Sequence, residues 1–237
     1  MNISDKLDQV HLRVKQNRWH RYFSIFCRIA LAAGFLPSGF VKINGERFTD
    51  LSNNQPMGHY LEALFHTGYY YPFIGVMQMT AAVLLLIPRT VTLGALIYFP
   101  IILNICILSL AVRFDGSHVT APLMVLANLY LLCWNYDKIK YIFPFNRTTL
   151  DFTLRQEKLS NKFPIAFFTG VAATFVLVVL VYLKAHDVMP RNTLAACKKQ
   201  FVGSNRTKAG NTFCECIHTY GQPLDQCLAA YGKAPDD

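Results

Sequence analysis

Charged residues are scarce in this sequence. Only 16% of its 237 residues are charged, whereas 53% are hydrophobic, and the hydrophobic residues gather in long runs. This balance argues against an ordinary soluble domain and for a chain that meets lipid. The chain also lacks Walker, dinucleotide-binding, nucleophile-elbow and haem-attachment motifs. No motif therefore assigns an enzyme activity or a metal.

Acidic residues are fewer than basic ones, which leaves a formal net charge of +9. The basic residues flank the apolar runs and form no dense patch, so a nucleic-acid partner is excluded and a lipid bilayer is favoured. No cleavable signal peptide is evident in the sequence either. Asp5 and Asp8 precede the first apolar run and no small-residue cleavage site follows it, so we expect this run to remain as an anchor.

The sequence does contain long apolar runs. They are too long for strands and show no strict alternation of apolar and polar residues. Each approaches the roughly 20 residues that cross a bilayer. The sequence therefore predicts an all-α integral membrane bundle. The five predicted spans are 23–41, 70–87, 91–112, 120–136 and 164–183.

The predicted organisation follows from these spans. The parts are a cytoplasmic amphipathic segment (1–22), a four-helix core (23–137), a basic cytoplasmic linker (138–163), a fifth transmembrane helix (164–183) and an extracytoplasmic tail (184–237). In the first part, apolar residues recur every three or four positions, which predicts a helix lying on the inner leaflet, with a disordered leader as the alternative. These residues are Ile3, Leu7, Val10 and Val14.

The lysines and arginines predict the orientation. Twelve of them fall on the side that holds the N-terminus, residue 89 and the linker, against three on the other side before the tail. The bias places the N-terminus in the cytoplasm, and an odd number of spans places the tail outside. The cysteines of the tail agree, because a small module with four cysteines indicates disulfides in an oxidising compartment such as a periplasm. The expected location is a bacterial inner membrane.

Four of the seven cysteines lie in the tail, at Cys197, Cys214, Cys216 and Cys227. Cys214 and Cys216 are poor partners for each other, because one intervening residue strains the ring. We therefore expect each to pair with Cys197 or Cys227 as a structural staple, with active thiol exchange as the alternative.

Three polar side chains inside the predicted spans are candidates for a ligand site. Arg28, Gln78 and Asn104 can all donate hydrogen bonds, as a quinone carbonyl in an apolar slot requires. The alternatives are that Arg28 reaches the headgroups and that the two amides, like Asn128, join helices by hydrogen bonds.

A second polar set lies near the other ends of these spans: Lys42, Glu46, His59, Glu62, His66 and His118. His59, Glu62 and His66 fall on one face if HYLEALFH is helical, and His118 joins them if the loops converge. We interpret this segment as an amphipathic helix on the outer surface, with a zinc site as the weaker alternative. Lys42 is expected to reach headgroups, Glu46 or Glu62.

The order of elements resembles the DoxX/DoxD-like membrane proteins over residues 23–137. The features are Arg28 followed by FLPSGFVKI (35–43), then YYYPFIGVMQMTAAVLLLIPR (69–89), then TLGAL (92–96). Gln78 stands where that family commonly has glutamate. Gly39 in the first segment permits close helix approach.

The resemblance implies a four-helix membrane subunit of a redox-linked complex that works with a partner protein and contacts a quinone. Because the sequence has no electron-carrying metal motif, we expect this chain not to be catalytic alone. The alternatives are a scaffold or assembly factor whose cysteine-containing tail docks a partner, and a small transporter, although no inverted repeat is visible.

Overall fold

The fold is all-α in the part of the chain that the structure describes. A computed structural model describes residues 3–140 and 159–236, and the side chains within these ranges from residue 8 onward. The helices are α1 (Ile3–Lys15), α2 (Arg18–Ile43), α3 (Pro56–Phe65), α4 (Tyr70–Leu86), α5 (Val91–Ala111), α6 (Thr120–Trp134), α7 (Tyr136–Ile139), α8 (Ile165–Ala185), α9 (Leu194–Lys199), α10 (Thr207–His218) and α11 (Leu224–Lys233). The predicted helix at the N-terminus is present, although the side chains of Ile3 and Leu7 lie outside the described set.

Four helices form the core of the bundle. Helix α2 packs against α4 and α6, and α5 packs against the same two helices, which closes a ring. Apolar side chains from all four are fully buried between them, including Phe35, Leu85, Tyr98 and Leu131. Because the outer faces of these helices are also apolar, close packing between the buried side chains, rather than escape from water, holds the helices together.

The helices alternate in direction, which gives the bundle two distinct ends. At the end that carries α1, the Tyr130 hydroxyl in α6 donates to the carbonyl of His20 at the start of α2. At the opposite end, Tyr71 at the start of α4 donates to the carbonyl of Glu46, just after α2. We call these the α1 end and the tail end.

Helix α8 runs along the outside of the bundle between the two ends. Its first turn places Phe167 against His20, and its last turns place the Tyr182 hydroxyl 2.9 Å from Asp115. None of its residues is buried within the described chain, as expected for a helix that faces lipid on most sides. The N-terminal helix and the C-terminal tail therefore lie at opposite ends.

The prediction of an all-α membrane bundle is confirmed, but three or four of the described helical segments, not the five predicted, are long and apolar enough to cross a membrane. Helices α2, α5 and α8 are long and apolar enough to cross a membrane, and α3 with α4 qualifies as a fourth if counted together. This pair bends by 101°, so α3 lies across the end of the span that α4 provides. Helix α6 is apolar but has only 15 residues. It still connects the two ends, because its start lies by the tail end and Tyr130 and Trp134 lie at the α1 end.

The tail folds into a small helical module, α9–α11. Its core is built from Phe201, Phe213 and Ile217 together with the buried cysteines. Of the predicted basic linker, residues 141–158 lie outside the described range, including Arg147, Arg155 and Lys158.

Candidate functional site

The three predicted quinone-binding side chains are not brought together. Arg28 donates to the carbonyls of Leu85 and Leu86 at distances of 2.7 and 2.6 Å, so it caps the end of α4. Gln78 lies seven residues earlier in α4, about two turns away. Asn104 is exposed on the outer surface of α5. The expectation of one slot is corrected because Asn104 faces away from the bundle interior.

The buried amides contribute to helix packing instead. Asn128 is fully buried and donates to the carbonyl of Ala95, while the Tyr98 hydroxyl donates to the carbonyl of Leu31. Gln78 is 2% exposed beside the α2–α4 contact, and its Oε1 has no partner among the described residues. Hydrogen bonds of this kind between membrane helices hold them in register.

Lys42 does not reach Glu46 or Glu62, contrary to the expectation. Its side chain is buried at 6% exposure, and its Nζ donates to the carbonyl of Ser38 at 3.0 Å. The ammonium lies 4.2 Å from the ring centroid of Phe48 and 6.0 Å from that of Tyr71. The two rings stabilise the cation where a lipid headgroup or a carboxylate was expected.

The rest of the predicted outer polar set divides into separate groups. Glu62 pairs with Arg47 and His66, each at 3.0 Å. His59 and Glu46 are exposed, and His118 lies elsewhere, at the turn before α6. Within the described ranges, no group of three or more His, Cys, Asp or Glu side chains has the arrangement of a metal site.

His118 belongs to a junction between the bundle and the tail. It is 3% exposed, its ring centroid lies 5.0 Å from that of Tyr182 and 5.7 Å from that of His186, and its Nδ1 has no described partner. Burial lowers the pKa of His118 below its ordinary value, with the nearby Arg113 adding to this and Asp115 opposing it. Burial also lowers the pKa of His186.

The junction is expected to weaken in acid. A histidine with a lowered pKa in the docked state binds its proton more readily when released, so docking is complete above the free value of about 6.5 and weakens as the pH falls through it. The thermal midpoint of the purified protein should therefore drop between pH 7.5 and 5.5. The charged and titratable groups around His118 are Arg113, Asp115, Tyr182, His186, Asp187 and Arg191.

The variant His118→Phe keeps a ring in place and removes one of the two titrating groups, so the drop should become smaller. His59→Phe, at an exposed position outside the junction, is the matched control and should leave the drop unchanged. An equal drop in the parent and in His118→Phe would show that titrating groups other than His118 cause the fall in the thermal midpoint.

The four tail cysteines form two disulfides, Cys197–Cys214 and Cys216–Cys227. The prediction that Cys214 and Cys216 pair with different partners is confirmed. Three of the four are completely buried, which suits staples better than exchangeable thiols. Of the remaining cysteines, Cys27 and Cys106 are buried and Cys133 is exposed.

The sequence reasoning missed a cavity of about 310 Å³ at the α1 end. Helix α1 covers it with Val10, His11 and Val14, and α2, α6, α7 and α8 supply the remaining walls. The apolar stripe on α1 was the available signal, but it was assigned to the lipid surface. A second cavity, of about 590 Å³ with a polar lining, separates the 49–52 loop from the tail.

Comparison with known proteins identifies a relative of this chain, but it indicates no activity. The uncharacterized protein YwoB of Bacillus subtilis (strain 168) is 32% identical to this chain over 130 residues, which cover 52% of this chain and 82% of YwoB. No protein-family profile matches the chain, and no solved structure matches it. At this identity and coverage, the chain belongs to the same family as YwoB.

Proposed function

We propose that this protein is a DoxX-like membrane subunit that is not catalytic alone, and that it acts as a scaffold which docks a partner protein through its disulfide-stapled module. The observation that carries the proposal is the attachment of α9–α11 to the tail end of the bundle. A module that is both stapled internally and fixed to a membrane anchor has a defined position and orientation, which lowers the entropy cost of binding a partner.

The attachment uses contacts from two separate loops of the bundle. Asp115 accepts hydrogen bonds from Arg191 at 3.0 and 3.1 Å and from Tyr182. Arg113 donates to the carbonyl of Val188 at 2.7 Å. In the other loop, Asn54 donates to the carbonyls of His218 and Thr219. Contacts at both sides of the module resist its rotation.

The orientation is part of the proposal. Buried disulfides require an oxidising compartment, so the module belongs on the extracytoplasmic side. The basic residues near α1 favour a cytoplasmic location for the opposite end of the bundle.

The surface of the module offers two large apolar side chains to a partner. Val202 is 78% exposed and Tyr220 is 68% exposed. Tyrosine is among the residues that contribute most when an interface covers them, and the exposed valine adds apolar area that a partner can bury.

The full-length protein, cross-linked in the membranes of its own cells and then purified, should capture a specific partner. The double variant Val202→Asp/Tyr220→Asp is expected to lose that partner by at least about tenfold, because a buried unpaired carboxylate opposes association. Gln226→Asp adds one negative charge at another exposed position of the module and should capture the partner normally. Capture that is unchanged in the double variant would contradict docking through these residues.

A redox-linked role, with a quinone as carrier, is the second candidate. The slot of Arg28, Gln78 and Asn104 does not support it, since the three do not meet. The observation that favours it is the apolar cavity at the α1 end, which lies far from the stapled module. The two roles are compatible, because they use opposite ends of the bundle.

A further inference from the structure

The cavity at the α1 end has the surroundings of a binding site. Its volume of about 310 Å³ lies at the lower limit of small-molecule pockets. Its walls are almost entirely apolar, and four of the lining residues are aromatic: Tyr130, Trp134, Tyr136 and Phe167. A site of this size and composition fits one ring system with small substituents.

Two imidazoles, those of His11 and His20, are among the few polar groups of the cavity. The Nε2 of His11 lies 3.1 Å from the carbonyl of Trp134, so it acts as the donor there and the ring is held in one orientation. His20 is buried at 7% exposure. The Tyr130 hydroxyl lies 3.4 Å from the Nδ1 of its ring and donates to its backbone carbonyl at 3.1 Å. Among the described residues, no partner is found for the Nε2 of His20. This nitrogen is available to an oxygen of a ligand.

Helix α1, which covers the cavity, is held in place by ion pairs made by its polar residues. Lys15 in α1 pairs with Asp137 at 3.2 Å, and Asp8 in α1 pairs with Lys140 at 3.0 Å, so two ion pairs hold α1 to α7. Trp19 and Tyr22, which flank His20 in α2, are exposed rings of the kind typical of the headgroup level of a bilayer. A membrane-soluble compound is therefore the class of ligand that this end of the bundle would meet.

We propose that this cavity binds a planar, membrane-soluble ring compound that carries a carbonyl or hydroxyl oxygen, with the ring between the aromatic walls and the oxygen at His20. Aromatic walls favour a ring over a saturated acyl chain, because they stack or pack edge-to-face with it. The imidazole then satisfies the single polar end of the ligand. This site is independent of partner docking and would give the redox-linked role a carrier site.

The chain contains two built-in reporters of occupancy. It has only two tryptophans, and Trp134 lines the cavity, so the variant Trp19→Phe isolates the fluorescence of Trp134. Cys133 also lines the cavity and is exposed, whereas Cys27 and Cys106 are buried and the other four cysteines are in disulfides. Alkylation of Cys133 can therefore be followed by peptide mass spectrometry.

The test uses the purified full-length protein in nanodiscs with decylubiquinone, whose fully substituted ring does not add to a thiol. The probe should quench Trp134 saturably in Trp19→Phe. It should also slow alkylation of Cys133 by about tenfold at about ten times its dissociation constant, since only the unoccupied fraction reacts. His20→Phe, which removes the polar contact, should weaken both effects.

Two further variants locate the site. Val14→Phe fills the cavity from α1 and should abolish both effects, whereas Asn104→Leu, on the outer surface of α5, should leave them intact. Linear quenching without saturation, or protection of Cys133 that His20→Phe does not change, would overturn the proposal. Equal protection by palmitate would identify an acyl-chain site and would overturn it as well. If Val14→Phe fails to fold, the saturation and the His20→Phe comparison still decide the outcome.

Discussion

Replacing Gly75 with leucine is expected to force α2 and α4 apart and to destabilise the bundle strongly. A Cβ at this position would lie 2.7 Å from the carbonyl oxygen of Gly39 and 2.9 Å from the Cβ of Lys42. Backbone on a neighbouring helix cannot move aside as a flexible side chain can. The cost should reach about 3 kcal/mol or more, the upper part of the range for overpacked cores.

The effect follows from the role of small residues between membrane helices. Gly39 and Gly75 let the two backbones approach closely, and this contact is the most extensive in the bundle. Association in lipid depends on such close packing, because lipid supplies no strong hydrophobic drive for helices to associate.

Thermal unfolding of the detergent-purified protein, followed by the loss of its monodisperse peak, measures the change. Gly170→Leu in α8 is the matched control, since a Cβ there meets nothing within 4 Å. The control should unfold at the parent temperature and the Gly75 variant well below it. Equal midpoints would show that α2 and α4 do not pack as closely as described.

Removal of both disulfides is expected to unfold the tail module while the bundle stays folded. The bonds close loops with separations of 17 and 11 residues, and each loop of that size contributes about 3 kcal/mol. The three helices of the module have 6, 12 and 10 residues, too short to be stable alone. A core this small cannot replace the lost staples.

Limited proteolysis followed by mass spectrometry tests the change. In Cys197→Ser/Cys214→Ser/Cys216→Ser/Cys227→Ser, cleavage should occur throughout α9–α11 while the fragment containing α2–α6 remains intact. Cys133→Ser likewise replaces a cysteine with serine, but it leaves both disulfide bonds in place. This control should resist cleavage like the parent. A four-serine variant whose tail resists protease would mean that apolar packing alone holds the module.

The interior of the bundle was only partly predictable from the chain. Runs of apolar residues located the helices, because a helix must satisfy its own backbone in lipid. The same runs do not say which side of a helix faces lipid, since both the lipid-facing and the buried sides are apolar. For this reason Asn104 was assigned inward and proved to be exposed, while Tyr98 and Asn128 join helices at the centre.

The contacts of the charged groups were also only partly predictable from the sequence. Spacing along one helix correctly indicated the contact between Glu62 and His66, because residues four apart lie one turn away from each other. It gave no information about Lys42, whose aromatic neighbours Phe48 and Tyr71 come from a loop and another helix. Nor did it place His118 beside Tyr182 and His186, which are distant in sequence.

The sequence by itself determined that this protein is an all-α membrane bundle with a disulfide-stapled tail, because hydrophobic length and cysteine spacing are local properties. Only the tertiary structure decided the bend between α3 and α4, the junction around Asp115 and the cavity beneath α1. Each of these depends on which helix faces which, and that choice is made by close packing between residues far apart in the chain.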